Sequence, residues 1–587
     1  MNHRAFLLVL LTTPFGGCGG GAPPDAGVGG DDLAQPGSGT AGGDLARPDP
    51  ALIAPARPLS PPSSALVGAR PLLRWELPPG TDGAAVELCA DRDCARPIAS
   101  LEAGGESARP ESDLPRGPVF WRLRGRAGSV KGTVPSPTWH FTVGAATTVS
   151  GGVPPATRDF NGDGYADLAI GRFQPAMPQG PPEIYVYFGG PNGPAATPDV
   201  TLSRPADEPP WQGLTGFYPA ASGDWNGDGY TDLAVNAPYA NGREGVLHIY
   251  YGSAKGIGPT PDATLSCPPN PDGCLPVFRA PAPAGDVNGD GFDDLLAGPA
   301  LYLGGRTGLP SLPDRILTSG DDDAQLTAQL TALGAGYFFM HASGAGVGDV
   351  NGDGFADIVL ATPLVGTGNV PAGAAYFYLG GPAGPALAPT ATIHDPFGAN
   401  ETWFGTGLGA GDANGDGFAD VVIMSLGPSA PGPQHHAGRA FLYLGGKSGL
   451  GNDPAVIIDG PDGANQSFDE VVSVGDVDQD GHDDFIFSEG NGPGIYLFLG
   501  NPDGLPTMPS VDLSAPPFDP DSWAAHFVAP AGDVNGDGWP DVVTSNPEML
   551  SNTGEVWLFS GSARGLAPKP EAAISSPPGV GAFGDIY

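Results

Sequence analysis

Apolar residues along this chain fall into many short runs, and Pro and Gly stand between them. Between residues 59 and 145 four stretches alternate apolar and polar positions as half-buried strands do: Leu72-Leu73-Arg74-Trp75, Ala85-Val86-Glu87-Leu88, Val119-Phe120-Trp121-Arg122-Leu123 and Thr138-Trp139-His140-Phe141-Thr142-Val143. Such alternation lays one face on a core, and the Pro/Gly clusters between the stretches are turns. The pattern predicts a small β-sandwich.

From residue 150 to 587 a different order takes over. A nine-residue segment, Asp159-Phe-Asn161-Gly-Asp163-Gly-Tyr165-Ala-Asp167, returns as Asp224–Asp232, Asp286–Asp294, Asp349–Asp357, Asp412–Asp420, Asp476–Asp484 and Asp533–Asp541, at intervals of 57 to 65 residues. These are loops 1 to 7 below, with positions counted from the first Asp. A short apolar run follows each (Leu168-Ala169-Ile170, Leu233-Ala234-Val235, Val542-Val543-Thr544), and later a second run ending in Gly, such as Ile184–Gly189, Ala375–Gly380 and Val556–Gly561. Some 63 residues per repeat accommodates four short strands and their turns, which predicts seven blades of a β-propeller. The repeat also changes how composition is read. Gly (95) and Pro (69) make up about 28% of 587 residues, a share that without a period would indicate a low-complexity chain.

The loops carry the candidate chemistry. Oxygen side chains fall at positions 1, 3, 5 and 9: Asp159, Asn161, Asp163, Asp167; Asp224, Asn226, Asp228, Asp232; Asp286, Asn288, Asp290, Asp294; Asp349, Asn351, Asp353, Asp357; Asp412, Asn414, Asp416, Asp420; Asp476, Asp478, Asp480, Asp484; and Asp533, Asn535, Asp537, Asp541. Position 7 offers a backbone carbonyl, from Tyr165, Tyr230, Phe292, Phe355, Phe418, His482 and Trp539. Glycine at positions 4 and 6 permits the tight turn that brings alternate oxygens round one ion. A donor set of hard oxygens selects Ca²⁺ over Zn²⁺ or Mg²⁺, with up to seven ions expected. Loop 6 departs from the rest, with Asp478 for Asn and Gln479 for Gly. On charge count it is expected to bind tightest, although Gln479 opposes the turn.

Gly-Asp-x-Asn-Gly-Asp-Gly, then Asp-Leu, then an aromatic strand ending in Gly, resembles the FG-GAP repeat of the integrin α-subunit propeller. Phe404-Gly405 and Phe583-Gly584 supply the Phe-Gly element explicitly. The resemblance implies an all-β, seven-bladed propeller with calcium loops on one face and ligand-binding loops on the other. The opposite-face loops are expected at 203–218, 267–279, 319–341, 395–404 and 514–527, carrying Trp211, Tyr337, Phe338, Phe339, Trp403 and Trp523. Residues 59–145 are similar to a fibronectin type III-like sandwich. The C-terminal Gly579–Tyr587, with its Phe-Gly, is expected to supply the inner strand that the first blade lacks and so close the ring.

Residues 1–18 carry Arg4, a short apolar run and Phe-Gly-Gly-Cys18, which resembles a bacterial lipoprotein signal with Cys18 as the lipidated residue. Residues 19–58, rich in Gly, Ala, Pro and Asp, read as a disordered tether. Four further cysteines suggest local pairs, Cys89 with Cys94 and Cys267 with Cys274. Asp and Glu outnumber Lys and Arg 65 to 25, for a formal net charge of −40, which excludes nucleic acid as a partner. No Gly-x-Ser-x-Gly elbow, His-Glu-x-x-His or phosphate loop is present, and His435-His436 sits in a Pro/Gly loop. The expectation is an exported, outer-membrane or cell-surface lipoprotein without a transmembrane helix, membrane-bound through its lipid alone. It is expected to act in binding or adhesion to an unidentified protein or glycan rather than as an enzyme. A polysaccharide- or lipid-degrading enzyme and a purely structural envelope protein are the alternatives.

Overall fold

The computed structural model describes residues 48–63, 65–144, 158–172, 183–205, 217–238, 240, 245–266, 281–320, 343–363, 373–396, 403–426, 438–460, 468–489, 494–513, 527–546, 554–577 and 583–586. Described strands dominate, and the fold is all-β. Among these residues no helix is long and apolar enough to cross a membrane.

The first strands are β1 (Arg57–Ser60), β2 (Ala65–Val67), β3 (Leu73–Glu76), β4 (Gly83–Cys89), β5 (Pro97–Gly104), β6 (Ser107–Ala108), β7 (Gly117–Ala127), β8 (Val130–Lys131) and β9 (Trp139–Val143). They form two sheets, β1-β3-β6 and β2-β9-β7-β4-β5, with β8 on β7. Trp75, Val86, Leu88, Trp121, Leu123, Trp139 and Phe141 fill the space between them, and Trp121 meets Trp139 edge to face at 6.1 Å. A disulfide joins Cys89 and Cys94 across the turn after β4. Described structure lies before the expected tether boundary at residue 58. A 3₁₀ turn spans Pro50–Leu52, Ile53 and Ala56 are buried, and β1 starts at Arg57. Composition misses this because two apolar residues among prolines are enough when Gly125 and Gly132 leave room beside them for the Ile53-Ala54 segment.

On the outer face of this unit Glu87 accepts from Arg122 (2.8 Å), Arg124 (2.9 Å) and Lys131 (3.3 Å). Burial alone pushes its carboxyl up, but the three cations hold it down at about 2. A depressed folded-state pKa contributes stability in full above the ordinary Glu range and loses it as pH falls toward 2. Glu87→Gln is therefore expected to lower the denaturation midpoint at neutral pH and to flatten its fall between about pH 4.5 and 2. An acid limb identical to the unsubstituted protein's would contradict this.

The remaining strands form seven four-stranded antiparallel sheets. Sheets 2 to 7 are four successive strands each, beginning with Tyr218–Gly223, Pro281–Gly285, Ser343–Gly348, Phe404–Gly411, Phe468–Gly475 and Phe527–Gly532. Sheet 1 has three local strands, Leu168–Arg172, Glu183–Tyr187 and Val200–Ser203, and takes its fourth from Phe583–Ile586. That strand runs antiparallel to the first, with Ile170 opposite Ile586 and Arg172 opposite Phe583. Each leading strand touches the next, and Phe583–Ile586 touches both the leading strand of sheet 7 and that of sheet 2. Seven apolar clusters fill the seven gaps between neighbouring sheets, including the gap between sheets 7 and 1, where Tyr185, Val543, Leu558 and Phe583 meet. The Phe-Gly pairs have a shared role. Phe404 and Phe583 are fully buried, and each lays its backbone on a glycine opening the third strand of the preceding sheet, Gly373 and Gly554. A cavity of about 2040 Å³ lies among the leading strands, bounded on one side by residues 59–74 of the sandwich.

Candidate functional site

All seven loops lie among the described residues and share one hydrogen-bonded form. The position-1 carboxylate accepts through Oδ1 from the position-5 amide (3.0–3.1 Å) and through Oδ2 from the position-6 amide (2.6–3.0 Å). Position 4 is left-handed throughout, from φ 69 to 74 at the six glycines and φ 56 at Gln479. The turn that Gln479 was expected to resist is thus adopted by a residue with a Cβ.

The position-9 carboxylate does more than the sequence suggests. Asp167, Asp232, Asp294, Asp357, Asp420, Asp484 and Asp541 are almost completely buried. In each, Oδ2 accepts from the position-2 amide (2.8–3.1 Å) and Oδ1 from the glycine ending the third strand of the same sheet (2.7–3.2 Å). The residue therefore stitches its loop to its own sheet.

Backbone bonds also chain one loop to the next. The position-8 N–H donates to the position-1 carbonyl of the preceding loop from Thr231, Asp293, Ala356, Ala419 and Asp483, and from Ala166 to Asp533, which joins loop 1 to loop 7. The exception is loop 7, where position 8 is Pro540 and has no N–H. There Gln479 of loop 6 donates its side-chain amide to the Gly538 carbonyl of loop 7. Two departures from the repeat, Gln479 and Pro540, thus meet at one seam, and a side chain spans what the backbone cannot. Gln479→Ala keeps the backbone strain but removes this bridge, and is expected to cost about 1 kcal/mol in chemical denaturation. No change would remove the bridge from the account.

Position-7 rings have a packing role beyond their carbonyls. Phe292, Phe355, Phe418, His482 and Tyr165 lie against the position-4 glycine of the preceding loop, Gly227, Gly289, Gly352, Gly415 and Gly536. The recurrence of an aromatic at that position is a signal the sequence already carried. The His482 ring additionally places Nδ1 2.7 Å from Asp480 Oδ1.

The donor chemistry fits a hard divalent cation. Burial pushes the position-1 carboxyls up to about 6 in Asp159, Asp224, Asp286 and Asp476, and to about 7 in Asp349 and Asp412. The backbone amides offset this only in part. At position 9 burial and the neighbouring carboxylates take Asp357, Asp420 and Asp484 to about 8, and hold Asp167, Asp232 and Asp294 well above the ordinary carboxylate range. Carboxylates crowded and buried in this way disfavour one another's charge, which Arg92 beside Asp286 offsets only in part. An ionised carboxylate has about four acceptor sites, so the amide bonds described leave lone pairs free at positions 1 and 9. In loop 6, oxygens of Asp476, Asp478 and Asp484 all lie within 4.8 Å of one another. Oxygens gathered this closely are grouped as a metal site would need them. Asp478→Asn is expected to weaken the tightest class in a calcium titration several-fold. An unchanged tightest class would end the ranking of loop 6 as first.

Cys18, Cys267, Cys274, His435-His436, Trp211, Tyr337, Phe338, Phe339 and Trp523 lie outside the described residues. Of the expected opposite-face aromatics Trp403 is described, half-buried with φ 54.

The sheets and their loops define a class that comparison with known proteins bears out. The FG-GAP-like repeat family matches residues 476–544, and the FG-GAP repeat family matches 220–250 and 341–378. The chain carries FG-GAP repeats and is integrin α-like over them. It is 32% identical over 153 residues to Integrin alpha-PS5 of Drosophila melanogaster, covering 25% of this chain and 15% of that one. Integrin alpha-IIb of Mus musculus is 30% identical over 190 residues, covering 28% and 18%. Phosphatidylinositol-glycan-specific phospholipase D of Rattus norvegicus is 31% identical over 192 residues, covering 29% and 21%. The chain spans about a fifth or less of these relatives' own length.

Proposed function

We propose that this chain is a calcium-loaded, seven-bladed β-propeller preceded by a fibronectin type III-like sandwich, acting at the cell surface as a binding or adhesion module. The observation that carries the reading is the sevenfold recurrence of one all-oxygen loop whose carboxylates are crowded together with their position-9 member fully buried. In each loop the side chains at positions 1, 3, 5 and 9 and the position-7 carbonyl hold the ion. The sheet orders β1-β3-β6 and β2-β9-β7-β4-β5 support the sandwich assignment. Export follows from residues 1–18, and a lipid on Cys18 with a tether to about residue 47 anchors the module to the outer membrane or cell surface. Cys267–Cys274 is its second disulfide.

Integrin α-like repeats favour a protein or glycan ligand over a catalytic substrate. The full mature chain, applied to immobilised matrix proteins and a glycan array, is expected to be retained by at least one class in Ca²⁺ and released by EDTA. Retention by none overturns the adhesion reading. A second reading comes from the phospholipase D relative, whose name assigns it phosphatidylinositol-glycan. Turnover of that substrate by this chain would replace adhesion with hydrolysis.

A further inference from the structure

The sandwich does not stand clear of the loops. It lies on them, through an arginine on each of three position-7 rings. The Arg116 guanidinium stacks on Tyr230 of loop 2 at 3.7 Å from the centroid, Arg92 on Phe355 of loop 4 at 3.6 Å, and Arg57 on Phe418 of loop 5 at 4.7 Å. The three come from different parts of the sandwich: Arg57 from β1, Arg92 from the turn after β4, and Arg116 from just before β7. Position-6 glycines complete the contact. Beside Gly291 lie Pro118 and Phe120, beside Gly354 lie Thr138 and Arg92, beside Gly417 lie Leu59 and Arg57, and beside Gly481 lies Arg74. A side chain at any of the first three would collide with the sandwich. His140 of β9 reaches Asp286 of loop 3 at 3.5 Å, with both residues buried.

Cover is uneven round the ring. The position-5 aspartates Asp163, Asp228, Asp290, Asp480 and Asp537 are exposed, whereas Asp353 and Asp416 of loops 4 and 5 are not. Phe355 and Phe418 are the two position-7 rings that are buried, at 9% and 7% exposure. Water and a departing ion therefore have a more restricted route at loops 4 and 5 than at the other loops.

We propose that the sandwich is an intramolecular clasp on the loop face, held by Arg57, Arg92 and Arg116, and that cations in loops 4 and 5 exchange only when it lifts. The inference rests on the calcium reading. It also covers part of the loop face of sheets 2 to 6, which favours the opposite face for recognition. Guanidinium–aromatic stacking is strongest where the pair is shielded from water, as for Arg92 on buried Phe355 and Arg57 on buried Phe418, and is enough there to slow ion release by about tenfold.

The test mixes the calcium-loaded full chain with excess fluorescent chelator in a stopped-flow instrument, after counting the calcium bound at the start. Two phases are expected, the slow one carrying about two ions. In the Arg57→Ala/Arg92→Ala/Arg116→Ala variant the slow phase is expected to accelerate at least about tenfold with the starting calcium unchanged. Should that variant fail to fold, Arg57→Lys/Arg92→Lys/Arg116→Lys decides. It keeps the charge and loses the planar stack, so acceleration supports the clasp and an unchanged slow phase overturns it. A single fast phase from a fully loaded chain overturns the clasp alone. A chain that starts with no calcium overturns the calcium reading and the clasp with it.

Discussion

Chelation with EDTA is expected to lower the melting temperature by tens of degrees, with Ca²⁺ restoring it and Mg²⁺ largely failing to. An ion that binds the native state alone stabilises by RT ln(1 + [L]/Kd), about 2.7 kcal/mol per site at a hundredfold excess over Kd. Three such sites reach about 8 kcal/mol, comparable with the roughly 5–15 kcal/mol that separates folded from unfolded states in most domains. Seven ions would also bring the formal charge from −40 to about −26, relieving repulsion concentrated in the loops. Mg²⁺ fails because it demands near-octahedral geometry and gives up water reluctantly, whereas these loops offer flexible oxygens. Differential scanning calorimetry in Ca²⁺, Mg²⁺ and EDTA checks this, and coincident melting curves would contradict it.

Removal of Phe583–Tyr587 is the second large effect. It deletes a ring buried among Tyr185, Val543 and Leu558, unpairs Ile170–Arg172 and opens the gap between sheets 7 and 1. Loss of a buried Phe costs about 3–5 kcal/mol and loss of a buried Ile about 2–5. Together they rival the stability of a whole domain. Loop 1 should also bind its ion more weakly, since it precedes the strand left with a bare edge, although the deletion lies more than 400 residues away in sequence. Urea denaturation of the truncated chain reads the first effect and a calcium titration the second. A truncated protein with the full-length midpoint would show that the C-terminal strand closes nothing.

Repeats made much of this molecule legible. Seven copies of one Asp/Gly segment mark the loops, because the chemistry needs oxygens at alternate positions and glycine between them. The leftover Phe583-Gly584 pointed to the closing strand because sheet 1 had no local fourth strand of its own. What stayed hidden was relational. Arg57, Arg92 and Arg116 look like scattered surface charges in sequence, and only the docked sandwich shows them stacked on Phe418, Phe355 and Tyr230. The position-9 aspartates read as ligands alone, since nothing local shows that each spans from loop to third strand. Pro540 and Gln479 read as unrelated exceptions until Gln479 is seen reaching Gly538. The start of the sandwich was set too late, because the prolines round Ile53 and Ala56 resemble tether and burial there depends on Gly125 and Gly132 far along the chain.

The central claim is that the seven loops are cation sites that hold the ring of sheets together. Native mass spectrometry of the purified chain, dialysed against Ca²⁺ and then against EDTA, tests it most directly. The account predicts several calcium adducts per chain, up to seven, that disappear in EDTA as the charge-state distribution broadens toward an unfolded chain. A compact, calcium-free mass that is the same in both solutions would contradict it.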